Sequence, residues 1–256
     1  MSRITVVTGA SQGIGRAIAL GFGAAGDTVV LAARNEGNLQ TVAREVGAAG
    51  GAAMVVPTDV SDPASVSALV EHVVNAHGKI DVLVNNSGIG GPSGPLWEVD
   101  EEAWDQTMDV NVKGVFLGCR AVVPHMIEVG GGSIVVIGSI SGKRALYGRS
   151  PYTTSKMALV GLVRTLALEA GRHGIRVNLI SPGFVAGPRI DWVIEAQATA
   201  RGISQDDVRA EFEGESPLGR LTEASDIADM CVFLASDHAR AITGVDMNVN
   251  AGVVMY

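Results

Sequence analysis

Cysteine is nearly absent from this sequence of 256 residues, which contains only Cys119 and Cys231. The two lie far apart, each in an apolar segment of helical character. A disulfide framework or a cysteine-based metal site needs more cysteines at closer spacing. We therefore predict two buried free thiols, a reducing compartment and no metal site.

Blocks of positive charge and long apolar runs are missing as well. Nineteen Lys and Arg residues stand against 27 Asp and Glu residues, and the net charge is −8. The scattered basic residues argue against a nucleic-acid partner and against a polybasic membrane anchor. No apolar run approaches the roughly 20 residues that span a bilayer, and residues 1–3 lead directly into an apolar strand. We expect a cytoplasmic protein without a signal peptide or a membrane partner.

Glycine and aliphatic residues, by contrast, are plentiful: there are 33 glycines, and 47% of the residues are hydrophobic. Short Val/Ile-rich runs alternate with longer segments of helical period. The runs lack polar alternation, which is typical of strands buried on both faces of a parallel sheet. The predicted strands are 4–8, 28–33, 52–57, 82–85, 133–138, 177–181 and 245–249. The predicted helices are about 13–25, 36–47, 63–77, 101–127, 152–172 and 222–236.

This alternation predicts an α/β fold with a single Rossmann-type doubly wound parallel sheet of about seven strands and helices on both faces. We see no linker or repeat, so residues 1–256 are expected to form one domain. Residues 185–216 are polar and poorly periodic, which predicts a substrate loop or lid. The helix 152–172 is expected to start from Ser150 as its N-cap. It is apolar nearly all round, which predicts burial on every side.

The first predicted strand runs into the segment TGASQGIG, residues 8–15, and then into a helix. Gly9, Gly13 and Gly15 let a backbone turn tightly against a pyrophosphate, which the free N–H groups of the helix N-terminus would bind. The lysine of phosphate-transfer loops does not follow Gly15. The segment therefore predicts a nucleotide cofactor, with a plain glycine-rich turn as the alternative.

The second predicted strand ends in Ala33 and Arg34. An acid at this position would bind the ribose 2′-hydroxyl of NAD, whereas an arginine suits the 2′-phosphate of NADP. We expect NADP(H), with NAD(H) as the alternative and with a solvated surface role for Arg34 in that case. Asp59, after the third strand, either accepts from an adenine amino group or closes a turn with Ser61.

Residues able to transfer a proton lie near the ends of the later strands. Ser139 precedes Tyr152 by thirteen residues, and Lys156 follows Tyr152 by four. Positions i and i+4 share one helix face, so the ammonium can lower the pKa of a tyrosine that is ordinarily near 10. Singly, each residue has a plain alternative role as a packed ring, a solvated lysine or a turn-capping serine. Their joint occurrence favours acid/base chemistry.

Together, these motifs resemble those of the short-chain dehydrogenase/reductase family over nearly the whole chain. The matching positions are Thr8, Gly9, Gly13 and Gly15, then Asn85-Asn86-Ser87-Gly88, Asn111, Ser139, Tyr152 with Lys156, and Pro182-Gly183. The resemblance implies an NAD(P)-dependent alcohol dehydrogenase or ketoreductase acting on a secondary alcohol or its ketone. It implies Tyr152 as general acid/base and Ser139 as the anchor of the substrate oxygen. It also places Lys156 on the nicotinamide ribose and Asn111 on a water relay.

The expected cofactor-binding and substrate-binding residues follow from these motifs. Substrate binding is expected from Ser139 and Tyr152. Where the family commonly has a threonine near position 187, Gly187 stands here, which leaves the nicotinamide amide to backbone groups near Val185. The cofactor-binding set is Gly9, Ser11, Gln12, Gly13, Ile14, Gly15, Arg34, Asp59, Val60, Asn86, Gly88, Tyr152, Lys156, Pro182, Gly183 and Val185.

The substrate pocket is expected between residues 90–97, 140–149 and 185–215. These segments contain Trp97, Tyr147, Lys143, Arg144, Arg149 and Arg189. One hypothesis is a polar or anionic hydroxy or keto substrate held by one of the arginines; the alternative is that they are surface charges around a lid. Subunit contacts in the family imply a homotetramer, or failing that a dimer.

Two other classes of function stay open. A non-catalytic NAD(P)-sensing regulator on the same fold would bind cofactor without turnover, but it has no need of Ser139, Tyr152 and Lys156. A methyltransferase also uses a glycine-rich first turn, yet it needs an acid at the second strand end, where Ala33 and Arg34 stand.

Overall fold

The computed structural model describes residues 2–256, which are built around one seven-stranded parallel sheet with the order β3-β2-β1-β4-β5-β6-β7. In the register of the first two strands Val6 lies opposite Val30. All seven predicted strands are confirmed, with ends that differ by at most two residues. The strands are β1 (Ile4–Thr8), β2 (Thr28–Ala33), β3 (Ala52–Pro57), β4 (Val82–Asn85), β5 (Gly132–Ile137), β6 (Ile175–Pro182) and β7 (Asp246–Val249).

Helices cover both faces of the sheet. Neighbouring residues of a strand point to opposite faces, so each face presents apolar side chains that a helix layer buries. Val6 belongs to one buried core and Val7 to the other. The core around Val6 is closed by α3 (Pro63–His77), α5 (Gly114–Glu128) and α6 (Ser150–Ala170). The core around Val7 is closed by α1 (Gly13–Ala24), α2 (Glu36–Ala48) and α9 (Ala224–Ala235). The doubly wound architecture is therefore confirmed.

The predicted helix 101–127 is interrupted. It consists of α4 (Glu101–Met108), a π-helical turn (Asp109–Lys113) and α5. The π turn carries Asn111, whose side chain is fully buried. Such wider turns inside helices are frequent at functional sites.

Two expectations for α6 are wrong. Ser150 is not the N-cap: the N–H of Thr153 already donates to the carbonyl of Arg149, so the helix begins at Ser150 and Arg149 precedes it without a side-chain cap. Nor is the helix buried all round. Leu159 and its neighbours face the core, whereas Met157 is 53% and Leu168 is 85% exposed.

The segment 185–216 is largely helical and not a loop. It forms α7 (Pro188–Arg201) and α8 (Gln205–Gly214), which begin at a proline and at a Ser204 capping box. The apolar positions of α7 are spread around its circumference, so the sequence shows little helical period there. The pair is held by a separate small core made of Ile190, Ile194, Ala198, Val208 and Leu221.

Both cysteines are buried free thiols, as predicted. Burial raises the pKa of the Cys119 thiol to about 12, against the effect of a hydrogen bond from Asn85. Burial also raises the pKa of Cys231. Within residues 2–256, none of the helices has the length and apolar character that crossing a membrane requires.

Candidate active site

The carboxyl ends of the central strands open on one crevice. From the centre of the sheet the strand order runs β1, β2, β3 to one edge and β4, β5, β6, β7 to the other. Ligands of open α/β sheets bind outside the carboxyl ends of the strands at such a switch point, here between β1 and β4. Thr8 ends β1, Asn85 ends β4 and Pro182 ends β6. Residues from the glycine-rich turn, the segment after β4 and the segment after β5 therefore come together here.

Asn86 braces the glycine-rich turn. Its amide Nδ2 donates to the carbonyls of Thr8 (3.0 Å) and Gly9 (3.2 Å). Gly9 has φ +66°, and a Cβ on Gly15 would lie 2.1 Å from the Gly9 oxygen. Only glycine fits at position 15, because the atom that a Cβ would meet belongs to the backbone and cannot move aside. The Thr8 hydroxyl accepts from the N–H groups of Asn86 (3.0 Å) and Ser87 (3.2 Å).

The N-terminus of α1 faces this turn without a side-chain cap. Gln12 precedes the helix in an extended conformation, its side chain makes no capping bond, and the first turn has no acid. Ser11 is half-buried beside it, and the turn continues through Gly13, with φ +54°, and Ile14. The first N–H groups of α1 have no side-chain partner, the helix dipole makes this end positive, and glycine at position 13 adds no side chain. These features fit the pyrophosphate of a dinucleotide.

Arg34 and Asp59 lie near each other beyond β2 and β3. The Asp59 carboxylate accepts from the hydroxyl (2.6 Å) and the N–H (2.9 Å) of Ser61. These hydrogen bonds are the main reason why the pKa of Asp59 lies below its usual value; burial opposes them, and the positive charge of Arg34 adds to them. Both hydrogen bonds use Oδ1, so the turn-closing role leaves Oδ2 for another donor. Val60 packs against α5, where a Cβ on Gly114 would lie 3.1 Å from its side chain.

Tyr152, Lys156 and Ser139 form one group. The Lys156 ammonium lies 5.8 Å from the centre of the Tyr152 ring and donates to the carbonyl of Ile137 at 3.0 Å. The Ser139 hydroxyl lies near the phenol and contributes to lowering its pKa. Ser139 also accepts from the N–H of Ser141 at 3.1 Å, which fixes its orientation.

The pKa of Tyr152 reflects a competition. Burial alone would raise it, but the charges of Lys156 and Arg189, the Ser139 hydroxyl and the charge of Arg149 together bring it below the ordinary value. Burial also lowers the pKa of Lys156, and the nearby Tyr152 opposes that effect. A tyrosine with a lowered pKa gives up its proton more readily than an ordinary tyrosine, which suits it to general acid/base chemistry.

Asn111 holds the segment that follows β4. Its Oδ1 accepts from the N–H of Ile89 (2.8 Å), and its Nδ2 donates to the Ile89 carbonyl (2.9 Å) and to the Ser155 hydroxyl (3.0 Å). The Gly88 backbone passes between Asn111 and Lys156: a Cβ there would lie 3.2 Å from the Asn111 Oδ1 and 3.4 Å from the Lys156 Nζ. Both N–H groups of the Asn111 amide are used, but its Oδ1 accepts only one hydrogen bond and keeps a lone pair for a further donor, so the water relay stays a prediction.

Pro182 and Gly183 close the other side of the crevice. A Cβ on Gly183 would lie 2.7 Å from that of Asn250, so this position also needs glycine. Val185 forms an isolated parallel bridge with Thr222. The bridge uses the carbonyl of Phe184 and the N–H of Ala186, and the backbone groups of Val185 itself are left for another partner.

The four basic residues expected at the pocket separate into two pairs. Lys143 is bound by Asp246 at 3.0 Å, and Arg144 by Glu215 at 2.8 Å. Arg149 and Arg189, in contrast, both lie against the ring of Tyr152, each with its guanidinium carbon 5.3 Å from the ring centre. The structure therefore brings only the second pair to the reacting group.

Two aromatic residues expected at the substrate pocket are largely exposed. Trp97 is 83% and Tyr147 is 88% exposed, so neither lines an enclosed pocket in the single chain. The loops that carry them are joined by a hydrogen bond from the N–H of Gly94 to the carbonyl of Gly148 at 3.0 Å.

The site also uses Thr8 and Ser155, which were not among the residues predicted to form it. Thr8 orients the segment after β4, and Ser155 accepts from Asn111 and donates to the Tyr152 carbonyl at 2.8 Å. Thr8 is one of the matching motif positions, whereas Ser155 stands between Tyr152 and Lys156 without being a motif position, so only Thr8 had a signal in the sequence.

Comparison with known proteins agrees with this geometry. A family model described as enoyl-(acyl carrier protein) reductase matches residues 9–254. The 2-(R)-hydroxypropyl-CoM dehydrogenase of Xanthobacter autotrophicus is 39% identical over 95% of this chain and 95% of its own. The 3-oxoacyl-acyl-carrier-protein reductase of Escherichia coli is 38% identical over 99% of this chain and 98% of its own. A crystal structure of an actinorhodin polyketide ketoreductase variant with NADPH superposes with a TM-score of 0.94 at 36% identity, covering 100% of this chain and 98% of the other.

The match extends over almost the entire chain, and it includes the glycine-rich turn, the segment after β4 and the Tyr152–Lys156 pair. The chain is a nicotinamide-dependent oxidoreductase and belongs to the short-chain dehydrogenase/reductase family.

Proposed function

We propose that the chain interconverts a secondary alcohol and its ketone with Tyr152 as the general acid/base. The observation that carries the proposal is the Tyr152 phenol, which lies beside the Ser139 hydroxyl and the charge of Lys156 and has a lowered pKa. When bound along the glycine-rich turn, a nicotinamide cofactor gives or takes the hydride at the substrate carbon. The protein has to hold the substrate oxygen and move one proton.

The proton is moved at the Tyr152 oxygen. In reduction the phenol gives its proton to the substrate oxygen, and in oxidation the tyrosinate removes it. The Ser139 hydroxyl can donate to that oxygen or accept from it, so it holds both ketone and alcohol. Lys156 favours the tyrosinate by its charge, and its ammonium is the group assigned to the nicotinamide ribose.

Asn111 is assigned a positioning role through its side chain. Its amide holds Ile89 and Ser155, which fixes the loop after β4 and the first turn of α6. A water relay to Lys156 would use the free lone pair of the Asn111 Oδ1 or a backbone carbonyl of the π-helical turn, where the ordinary helical pattern is broken.

The cofactor proposed is NADP(H). Arg34 is exposed at the end of β2, next to Ala33 and without an acid at that strand end. A guanidinium binds a 2′-phosphate through two parallel hydrogen bonds. The remaining expected contacts are Asp59 and Val60 at the adenine side and Val185 at the nicotinamide side.

Assembly and cellular location complete the proposal. Met157 and Leu168 on α6, together with Phe116 and Ile127 on α5, are exposed apolar residues that a single chain leaves uncovered. Pairing of these helices between copies would bury them, and we assign a homotetramer on that basis. The two buried free thiols fit a cytoplasmic protein. We also assign α7 and α8 as the substrate lid.

A turnover panel tests the function. Simple secondary alcohols and ketones, 2-hydroxypropyl-CoM and a 3-oxoacyl thioester are assayed by nicotinamide absorbance with NADP(H) and with NAD(H). Turnover of at least one alcohol–ketone pair, faster with NADP(H), is expected. Cofactor binding without turnover of any compound would instead favour the sensing regulator.

A further inference from the structure

We propose that the substrate carries an oxyanion, such as a carboxylate or sulfonate, and that Arg149 and Arg189 bind it jointly beside Tyr152. This inference rests on the proposed alcohol–ketone chemistry. It specifies the substrate class: hydroxy or keto compounds with a negative group close to the reacting carbon.

The two guanidinium groups converge on one place. Both have their central carbon 5.3 Å from the centre of the Tyr152 ring. Both also border the same space above Gly90, where a Cβ would lie 3.1 Å from an Arg189 nitrogen and 3.3 Å from an Arg149 nitrogen. Because position 90 is glycine, both guanidinium groups can lie close together over the same stretch of backbone.

Neither cation is neutralised where it lies. Arg149 donates to the Ser93 hydroxyl (2.6 Å) and the Gly90 carbonyl (2.7 Å), both uncharged. Among residues 2–256, the ion pairs include neither Arg149 nor Arg189, although Lys143 and Arg144 a few residues away both have carboxylate partners. The site therefore keeps two like charges together without a counterion.

The proximity of the two cations has an electrostatic cost. Burial is the first cause that lowers the pKa of Arg149, and the charge of Arg189 is the second. An anion between the two would remove this repulsion and accept paired hydrogen bonds from two planar forks, which bind carboxylate and sulfonate well. A neutral chain in the same place would leave both cations uncompensated.

The position also limits the shape of the substrate. The alcohol or ketone oxygen must reach Tyr152 and Ser139, while the anion must reach guanidinium groups that lie against the same tyrosine ring. The two groups are therefore only a few bonds apart. A substrate whose carbonyl is followed by a long neutral thioester chain does not offer an anion there.

A matched pair of substrates tests the proposal. 3-Hydroxybutyrate and its neutral amide share one skeleton, and a hydroxyalkane sulfonate covers the second anion class. They are assayed with the wild type, Arg149→Gln, Arg189→Gln and the control Arg44→Gln, whose guanidinium lies on the exposed surface of α2 and donates to Thr41. Cofactor binding by each variant shows that it is folded.

We expect the wild type to prefer at least one anion over the amide by about 10-fold or more in kcat/KM. Arg149→Gln and Arg189→Gln should each lower kcat/KM for that anion by about 10- to 100-fold, mainly through KM, and change the amide by only a few fold. Arg44→Gln should change neither.

Two results would overturn the proposal, and they differ in scope. If the amide or a neutral thioester is the better substrate and the two glutamine variants affect charged and neutral compounds alike, the anion site is wrong while the alcohol–ketone chemistry stands. If no compound is turned over although the cofactor binds, the proposed function fails and the anion site with it.

Discussion

Tyr152 is a single residue on which several opposing effects act. Burial favours its neutral form, whereas Lys156, Arg189, the Ser139 hydroxyl and Arg149 favour the tyrosinate, and these neighbours prevail. The Tyr152–Lys156 spacing alone predicts a single cation beside the tyrosine. Here two arginines add to it, which couples substrate binding to the proton-transfer group.

Arg189→Gln is predicted to shift the pH profile of alcohol oxidation to higher pH. The Arg189 charge lowers the pKa of Tyr152, so its removal raises that pKa, and the tyrosinate needed as base then forms only at more alkaline pH. The rising limb of kcat against pH, measured at saturating substrate, reports this shift. An unchanged or more acidic limb would contradict it, and Arg44→Gln is the control.

For single residues, the sequence predicts which side chains lie together when they are close along the chain. Tyr152 and Lys156 are one helical turn apart, so their spacing suffices to predict a shared face. Arg149 and Arg189 are forty residues apart, on different elements, and only the folded chain shows that both reach Tyr152. The sequence therefore could not show that Arg149 and Arg189, and not Lys143 or Arg144, are the basic residues beside Tyr152.

The elements of the molecule differ in how clearly the sequence specifies them. Strands buried on both faces give uninterrupted apolar runs, and all of them could be predicted. Helix α7 instead packs its apolar side chains against a small core with Val208 and Leu221, far along the chain, and it lacks a continuous apolar stripe. Tertiary contacts stabilise it in spite of its pattern, and this is why the sequence suggested a loop.

The turn between β1 and α1 is predicted to bind cofactor only if Gly15 stays glycine. A Cβ in Gly15→Ala would lie 2.1 Å from the Gly9 carbonyl oxygen, so the turn must open and the N–H groups of α1 move. We expect at least a 10-fold weaker Kd for NADPH by fluorescence titration.

The matched control is Gly47→Ala on α2, where a Cβ meets nothing within 4 Å. Alanine is the better helix former, so Tm should stay the same or rise while NADPH binding is unchanged. Equal NADPH affinity of the two variants would show that the turn at Gly15 is not the cofactor cradle.

For the whole molecule, strand order and the two helix layers follow from the alternation of β and α segments and from right-handed crossovers. Assembly does not follow in this way. The sequence of α6 suggested burial on every side, yet one side of the single chain is exposed at Met157 and Leu168. An apolar surface that a second copy covers looks, in sequence, the same as a core.

Leu168→Glu is predicted to disrupt the assembly. The side chain is 85% exposed in the single chain, and a carboxylate buried between copies would be strongly unfavourable. Light scattering after size exclusion should give four times the mass of one chain for the wild type and a lower mass for Leu168→Glu. Gln40→Glu, on the exposed face of α2, should leave the mass unchanged. A monomeric wild type would refute the assignment.

The central claim is that the Tyr152 hydroxyl transfers the proton while the rest of the site binds the cofactor. The most direct measurement compares Tyr152→Phe with Tyr256→Phe, an exposed tyrosine near the chain end, in turnover and in NADPH binding. We predict that Tyr152→Phe lowers kcat by about 100- to 10,000-fold with an NADPH Kd within a few fold of the wild type, and that Tyr256→Phe changes neither. Wild-type turnover by Tyr152→Phe on the best substrate of the panel would contradict the account.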